Sequence, residues 1–284
     1  MPLVGCFVTP HPPLIIPEVG GAELALVDAT VKAMLAVGEE AKRLDPDTIV
    51  LLSPHSPLAR SQMGVSLASS YRGSMSFFRA PHVTLQAESD QGLAKSISDE
   101  AATHGIPVIA TASPGEVVDL DHGAFVPLYY LMGGLARPAK LVLLSFSYLS
   151  MEEHVRFGDA VGRAMLSHPQ RIIYVASADL SHRLLPGAPA GYDPRAVQFD
   201  NTVADTFARG DWEALMSIDA GLVHAAGECG YRSLAVLSGV IGFVESSGGR
   251  AKNHLLSYEG PFGVGYMVGK VDITTADDQA EVTT

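Results

Sequence analysis

Short, continuously apolar runs rich in β-branched residues recur along this chain, each followed by a longer segment of helical period. "LVGCFVT" spans 3–9, "TIVLLS" 48–53, "KLVLLSF" 140–146 and "RIIYVAS" 171–177. A strand with one wet face alternates apolar and polar residues, whereas these runs leave no polar face. They suit strands covered by helices on both sides and joined by crossover connections. Weaker runs at 63–68 and 106–111 extend the series, and helix-forming segments lie at 21–44, 89–104, 124–134, 150–167, 195–209, 211–226 and 228–245. The turn "DPD" at 45–47 ends the first helix, because proline cannot continue it. Strands at 251–258 and 262–271, joined by "GPFG", read as a closing hairpin.

No repeat, low-complexity linker or change of composition divides the chain, and 284 residues with 47% hydrophobic content can bury one large core. The pattern predicts a single α/β domain over 1–272, with a central, mostly parallel or mixed sheet and helices on both faces. The polar, acidic stretch at 273–284 predicts a disordered tail.

Charge narrows the partners. Lys and Arg total 19 against 31 Asp and Glu, a net charge of -12, so no broad basic surface is available for phosphate backbones or anionic lipid. Neither nucleic acid nor a membrane is an expected partner. Two cysteines, Cys6 and Cys229, cannot form a disulfide framework, and the start "MPLVGCFVTP" has no basic leader ahead of its apolar residues. A reducing, cytoplasmic setting is the expectation.

In open α/β sheets, ligands gather at the carboxyl ends of strands. Four of the ten histidines fall at such places or just ahead of a helix: His11 in "TPHPPLIIPEVG", His55 in "LLSPHSPLAR", His122 in "DLDHGAFVPLYYL" and His182 in "VASADLSHRL". His11 and His55 sit between prolines, which hold stiff loops with few backbone donors. Two imidazoles so presented can converge on one cation, although a proline-rich turn can also carry a histidine incidentally. His122 and His182 stand beside Asp121 and Asp179, which can orient a ring or cap a helix. His82, His104, His154, His168, His224 and His254 read as helix, helix-end or hairpin residues with surface or packing roles.

A divalent ion held by two histidines needs an anionic third ligand. "AGECGYRSLAVL" offers two adjacent rivals, Glu228 and Cys229. A carboxylate suits an oxygen-activating ferrous ion, and a thiolate favours zinc or copper. The chain has no P-loop and no GxSxG elbow, and "GVGYMVG" enters a closing strand with no helix after it.

Taken together, "HPP" at 11–13, "SPHSP" at 53–57, "DHGAFVPLYYL" at 121–131, "SADLSHRL" at 177–184 and "GECGYRS" at 227–233 resemble the catalytic, LigB-type subunit of class III extradiol ring-cleavage dioxygenases. The resemblance runs from about residue 3 to 271, and "SYEGPFGVGY" points to the uncharacterised branch linked to AMMECR-type and Memo-like proteins. It implies a single α/β domain and Fe(II) held by His11, His55 and Glu228, with His122 and His182 as catalytic residues. The implied reaction inserts O2 into a catechol- or aminophenol-type ring. Zinc is an alternative metal, and the implied partners are a small aromatic substrate, a second copy of the chain or a separate AMMECR-type subunit. Memo proteins share the histidine pattern but present a cysteine near the third ligand. A Memo-like metal-binding protein without ring cleavage, or a zinc hydrolase on the same scaffold, are therefore the rival expectations.

Overall fold

The structure, a computed structural model, describes residues 2–274. The strands are β1 Leu3–Thr9, β2 Thr48–Leu52, β3 Met63–Ser66, β4 Ser70–Met75, β5 Ala80–Glu88, β6 Val108–Ala112, β7 Val117–Asp119, β8 Lys140–Ser145, β9 Ile172–Ser177, β10 Arg250–Glu259 and β11 Tyr266–Thr274. The helices are α1 Pro17–Gly20, α2 Asp28–Leu44, α3 Gln91–Thr103, α4 His122–Met132, α5 Met151–Leu166, α6 Ala196–Arg209, α7 Trp212–Met216, α8 Ala220–Ala226 and α9 Tyr231–Ser246.

Eight strands form one mixed sheet in the order β10-β11-β1-β9-β2-β8-β3-β6. Its centre, β1-β9-β2-β8, is parallel throughout. β11 and β3 flank that centre as antiparallel neighbours. The side-chain period of two divides the core between the faces. From β2, Val50 and Leu52 point into one apolar cluster, together with Phe157 of α5 and Leu237 of α9. Ile49 and Leu51 point into the other, with Met34 of α2 and Phe125 of α4. Every residue of β2 and β9 is buried, as strands covered on both faces require. The expected architecture of a single α/β unit with helices on both faces is the one observed.

The strand at Ala80–Glu88 pairs with Ser70–Met75, which pairs with Val117–Asp119, in a separate three-stranded sheet that the sequence pattern does not predict. His82 belongs to this sheet rather than to a helix or the late hairpin. The single helix expected over 211–226 is divided into α7 and α8, because Asp219 accepts a hydrogen bond from Leu222 N and starts a new helix. β11 runs two residues beyond the expected domain limit, to Thr274; the rest of the expected tail lies outside the described residues.

Helices α5 and α9 cross at Gly158 and Gly239. A methyl on Gly158 would drive into the Val236 carbonyl, and one on Gly239 into the Val155 carbonyl. Backbone lies on both sides, so neither contact can be relieved by a rotamer change. Gly239→Ala is expected to lower the thermal unfolding midpoint by at least about 5 °C. Gly242→Ala, on the same helix with nothing within 4 Å of the added methyl, should leave it unchanged or raise it slightly, because alanine is the better helix former. Paired calorimetric scans check both.

Candidate metal centre

Parallel pairing places the carboxyl ends of β1, β9, β2 and β8 along one edge of the sheet. His11 follows β1 and His55 follows β2, with β9 between them, so their strands lie about 10 Å apart. Both side chains reach across the end of β9 and meet there. His11 Nε2 and His55 Nε2 are 3.1 Å apart. Cys229 Sγ lies 3.6 Å from His11 Nε2, and all three donor atoms fall within 4.8 Å of one another.

The hydrogen bonds of Ser177, the last residue of β9, assign the His11 tautomer. Its hydroxyl donates to the Gly123 carbonyl at 2.6 Å, so its oxygen must accept from His11 Nδ1–H at 2.9 Å. His11 Nε2 is therefore left with a free lone pair aimed at His55. The backbone N–H of His11 donates to Asp179 Oδ1 at 2.8 Å, which fixes the loop as Ser177 fixes the ring.

His55 is held through Asp121. One oxygen of that carboxylate accepts from Ser53 Oγ at 2.6 Å and from Ala124 N at 3.0 Å, and the other accepts from Ser56 Oγ at 2.7 Å. Ser53 Oγ in turn accepts from the His55 backbone N–H at 3.2 Å. One acid thus caps α4 and ties the His55 loop to it. His122, the first residue of α4, stacks on His55 with ring centroids 4.3 Å apart. Gly123 permits this approach, since a Cβ there would lie 2.6 Å from Ser53 Oγ and 3.1 Å from His55 Cδ2.

Burial is the first cause that holds all four imidazoles below their ordinary pKa. The neighbouring histidines depress His11 and His55 further, while Asp121 pulls His55 and His122 partly back. The cluster therefore favours neutral rings, the form that binds metal. Nearby acids are strained in the opposite sense. Burial pushes Asp179 and Asp200 each up to about 7 and also raises Glu228. Burial raises the Cys229 thiol, with Asp179 and Glu228 adding to it. Neutral rings leave ring lone pairs free for a cation, and a bound cation would in turn favour ionisation of the neighbouring acids and thiol.

Two of the three separations fit the edges of a small ion's coordination shell, and the third is within 4.8 Å. Bonds of about 2.0–2.1 Å to nitrogen and about 2.3 Å to sulfur, in tetrahedral array, set N···N near about 3.3 Å and N···S near about 3.6 Å. The observed separations of 3.1 and 3.6 Å are close to those edges.

Of the residues singled out in the sequence, His11, His55 and His122 come together, and His182 stands close enough to depress His11 and His55 further. Glu228, expected as the third ligand, is placed elsewhere: its Oε2 accepts from Tyr231 N at 2.5 Å, at the start of α9. The neighbouring Cys229 turns its sulfur to the histidines instead. Ser177, Ser53 and Ser56 were not legible as site residues, although each lies at or just past the end of a strand that carries a candidate histidine or its neighbour. The Nδ1 of His182 is buried with no hydrogen-bond partner among the described residues.

The family model for the catalytic LigB subunit of aromatic ring-opening dioxygenase matches residues 5–269. A Clostridium acetobutylicum protein, CA_C1420, is 34% identical over 282 residues, which are 98% of this chain and 59% of that protein. The chain thus spans less than two thirds of that relative's length. The 2,3-dihydroxyphenylpropionate/2,3-dihydroxicinnamic acid 1,2-dioxygenase of Mycobacterium sp. (strain MCS) is 23% identical over 237 residues, 72% of this chain and 70% of that enzyme. The crystal structure of an uncharacterized protein, JW3007, from Escherichia coli K12 has the same fold, with a TM-score of 0.64 and 16% identity over 94% of this chain and 99% of that one. No helix among the described residues is long and apolar enough to cross a membrane.

Proposed function

Because the chain belongs to the family of catalytic LigB subunits of aromatic ring-opening dioxygenases, we propose that it is a metal-dependent, extradiol-type dioxygenase acting on a catechol- or aminophenol-type ring. The observation that carries this reading is the meeting of His11 Nε2 and His55 Nε2, 3.1 Å apart at the strand ends of a chain that the family model spans. These imidazoles, with Cys229 Sγ beside them, would hold a ferrous ion, which would supply open positions for a chelating diol and dioxygen.

The chain's own residues supply the rest. Ser177 and Asp179 keep His11 in one tautomer and place, and Asp121 holds the His55 loop in place through Ser53 and Ser56. His122, stacked on His55, offers a second imidazole edge to a planar substrate. His182 is the group assigned to take the proton from a substrate hydroxyl: burial keeps it neutral and its Nδ1 lacks a partner.

A second reading is favoured by one observation, the sulfur in place of a carboxylate. Thiolate ligation suits zinc or copper, and a Memo-like metal-binding role without ring cleavage follows from it. Anaerobic purification, metal analysis and oxygen-electrode assays separate the two. The panel comprises catechols and aminophenols, and includes catechols with a propionate side chain because the Mycobacterium relative is named for such a substrate. One iron per chain with oxygen uptake matched to ring loss is expected. Bound metal with no uptake on any member would favour the second reading, and hydrolysis that persists without oxygen would select a zinc hydrolase.

A further inference from the structure

A cavity of about 480 Å³ opens where α8, the start of α9 and the start of α5 meet. Two of its lining residues, Arg183 and Glu228, are the immediate chain neighbours of His182 and Cys229. Met151, Met216, Ile218 and Val223 make much of the remaining wall apolar. The volume suits a small organic molecule, and apolar walls with a few convergent polar groups are the usual make-up of a ligand site.

The charge in this cavity is only partly balanced from within: Glu228 stands close enough to Arg232 for the guanidinium to favour its ionised form, but no second carboxylate lines the cavity. Arg183 and Arg232 both line it, and among the described residues neither forms an ion pair, in a chain of net charge -12. The Nε of each is buried with no acceptor among the described residues. The one contact offered to Arg183, from Nη1 to the His224 carbonyl, is 3.5 Å long and too weak to compensate. Glu228 is the single carboxylate in the lining, and it is occupied by Tyr231 N.

Both guanidinium groups are nonetheless held in place. Arg232 Cζ lies 5.8 Å from the Phe146 ring centre and 5.6 Å from that of Tyr148. Arg183 lies across Gly227, whose φ of +60° and missing side chain make room for it; a Cβ there would sit 2.8 Å from Arg183 Nε. Two guanidinium groups held above an apolar floor, neither in an ion pair, share one carboxylate in the lining and leave room for a second anion.

We propose that this cavity binds a small organic acid, with its carboxylate between Arg183 and Arg232 and its apolar body against the methionines, Ile218 and Val223. The apolar lining favours a carboxylate carried on a hydrocarbon body over inorganic phosphate. This site does not depend on the metal chemistry proposed above, so it is tested by binding and not by turnover.

The experiment is titration calorimetry of phenylacetate, 3-phenylpropionate and hexanoate, their neutral amides, and inorganic phosphate. It is run on metal-free and on metal-loaded protein. The acids are expected to bind at least about tenfold more tightly than their amides, with or without metal. Arg232→Gln and Arg183→Gln should each weaken the acids about tenfold or more and leave the amides unchanged. The comparison of acid with amide on unaltered protein needs no variant to fold. Equal affinity for acids and amides, no acid binding at millimolar concentration, tighter binding of phosphate than of every acid, or variants that bind acids as the parent does would each overturn the proposal.

Discussion

Cys229→Ser is expected to keep the fold and lose the metal, whereas Glu228→Gln, one residue away, keeps both. The contrast rests on where each side chain goes. Cys229 Sγ lies 3.6 Å from His11 Nε2, and the Glu228 carboxylate accepts from Tyr231 N at the start of α9. Removing a partner that only orients a ligand usually costs 10–100-fold in metal affinity; loss of a thiolate ligand should cost at least about a hundredfold. His55→Ala should do the same, because it removes the donor atom that stands 3.1 Å from His11 Nε2. The readouts are metal per chain after dialysis and the rise in unfolding temperature on adding metal. With metal at about a hundred times its Kd, binding adds about 2.7 kcal/mol to parent and to Glu228→Gln alike. The thermal shift should vanish in Cys229→Ser and in His55→Ala. If Glu228→Gln lost the metal while Cys229→Ser retained it, the carboxylate would be the ligand and the loop would have to turn over on binding.

That contrast also marks where sequence reasoning stopped. The central strands were legible because burial on both faces writes an unbroken apolar run, as in "TIVLL" and "IIYVAS". The three-stranded sheet was not. β4 carries Gly73, needed because a Cβ there would meet Phe125 at 2.7 Å, β5 carries Pro81, and β7 has only three residues. Each of these departures weakens the strand pattern. The histidines could be found because they follow strands, and strand ends are where such sheets bind ligands. Choosing between Glu228 and Cys229 required knowing which way two adjacent side chains point. Gly227, with φ 60° and ψ 39°, ends α8 and sets the direction in which the chain enters both residues, and no composition rule encodes that direction. Ser177 was hidden for a similar reason: its importance lies in donating its one hydroxyl hydrogen bond to Gly123 O and so forcing the His11 tautomer.

His182→Ala should leave metal content at the parental level and reduce turnover by about 10²–10⁴, the usual worth of a placed general acid or base. His182 is outside the group of three donors, so its loss removes no ligand. Its backbone N–H donates to the Ala226 carbonyl at 3.1 Å, a bond that alanine preserves, so the loop that carries Arg183 should stay in place. The effect should fall on kcat and kcat/KM together, because the lost interaction belongs to proton transfer and not to substrate binding. His104→Ala serves as the control: that ring caps α3, its Nδ1–H donating to the Glu100 carbonyl, and it is not among the clustered donors. His122→Ala separates the two kinds of role again. Its ring stacks on His55 at 4.3 Å and is assigned on the proposed reading to the substrate, so its loss should raise KM as well as lower kcat. Full turnover by His182→Ala on a substrate that the parent cleaves would remove this residue from the reaction, and loss of metal from the same variant would recast it as a ligand.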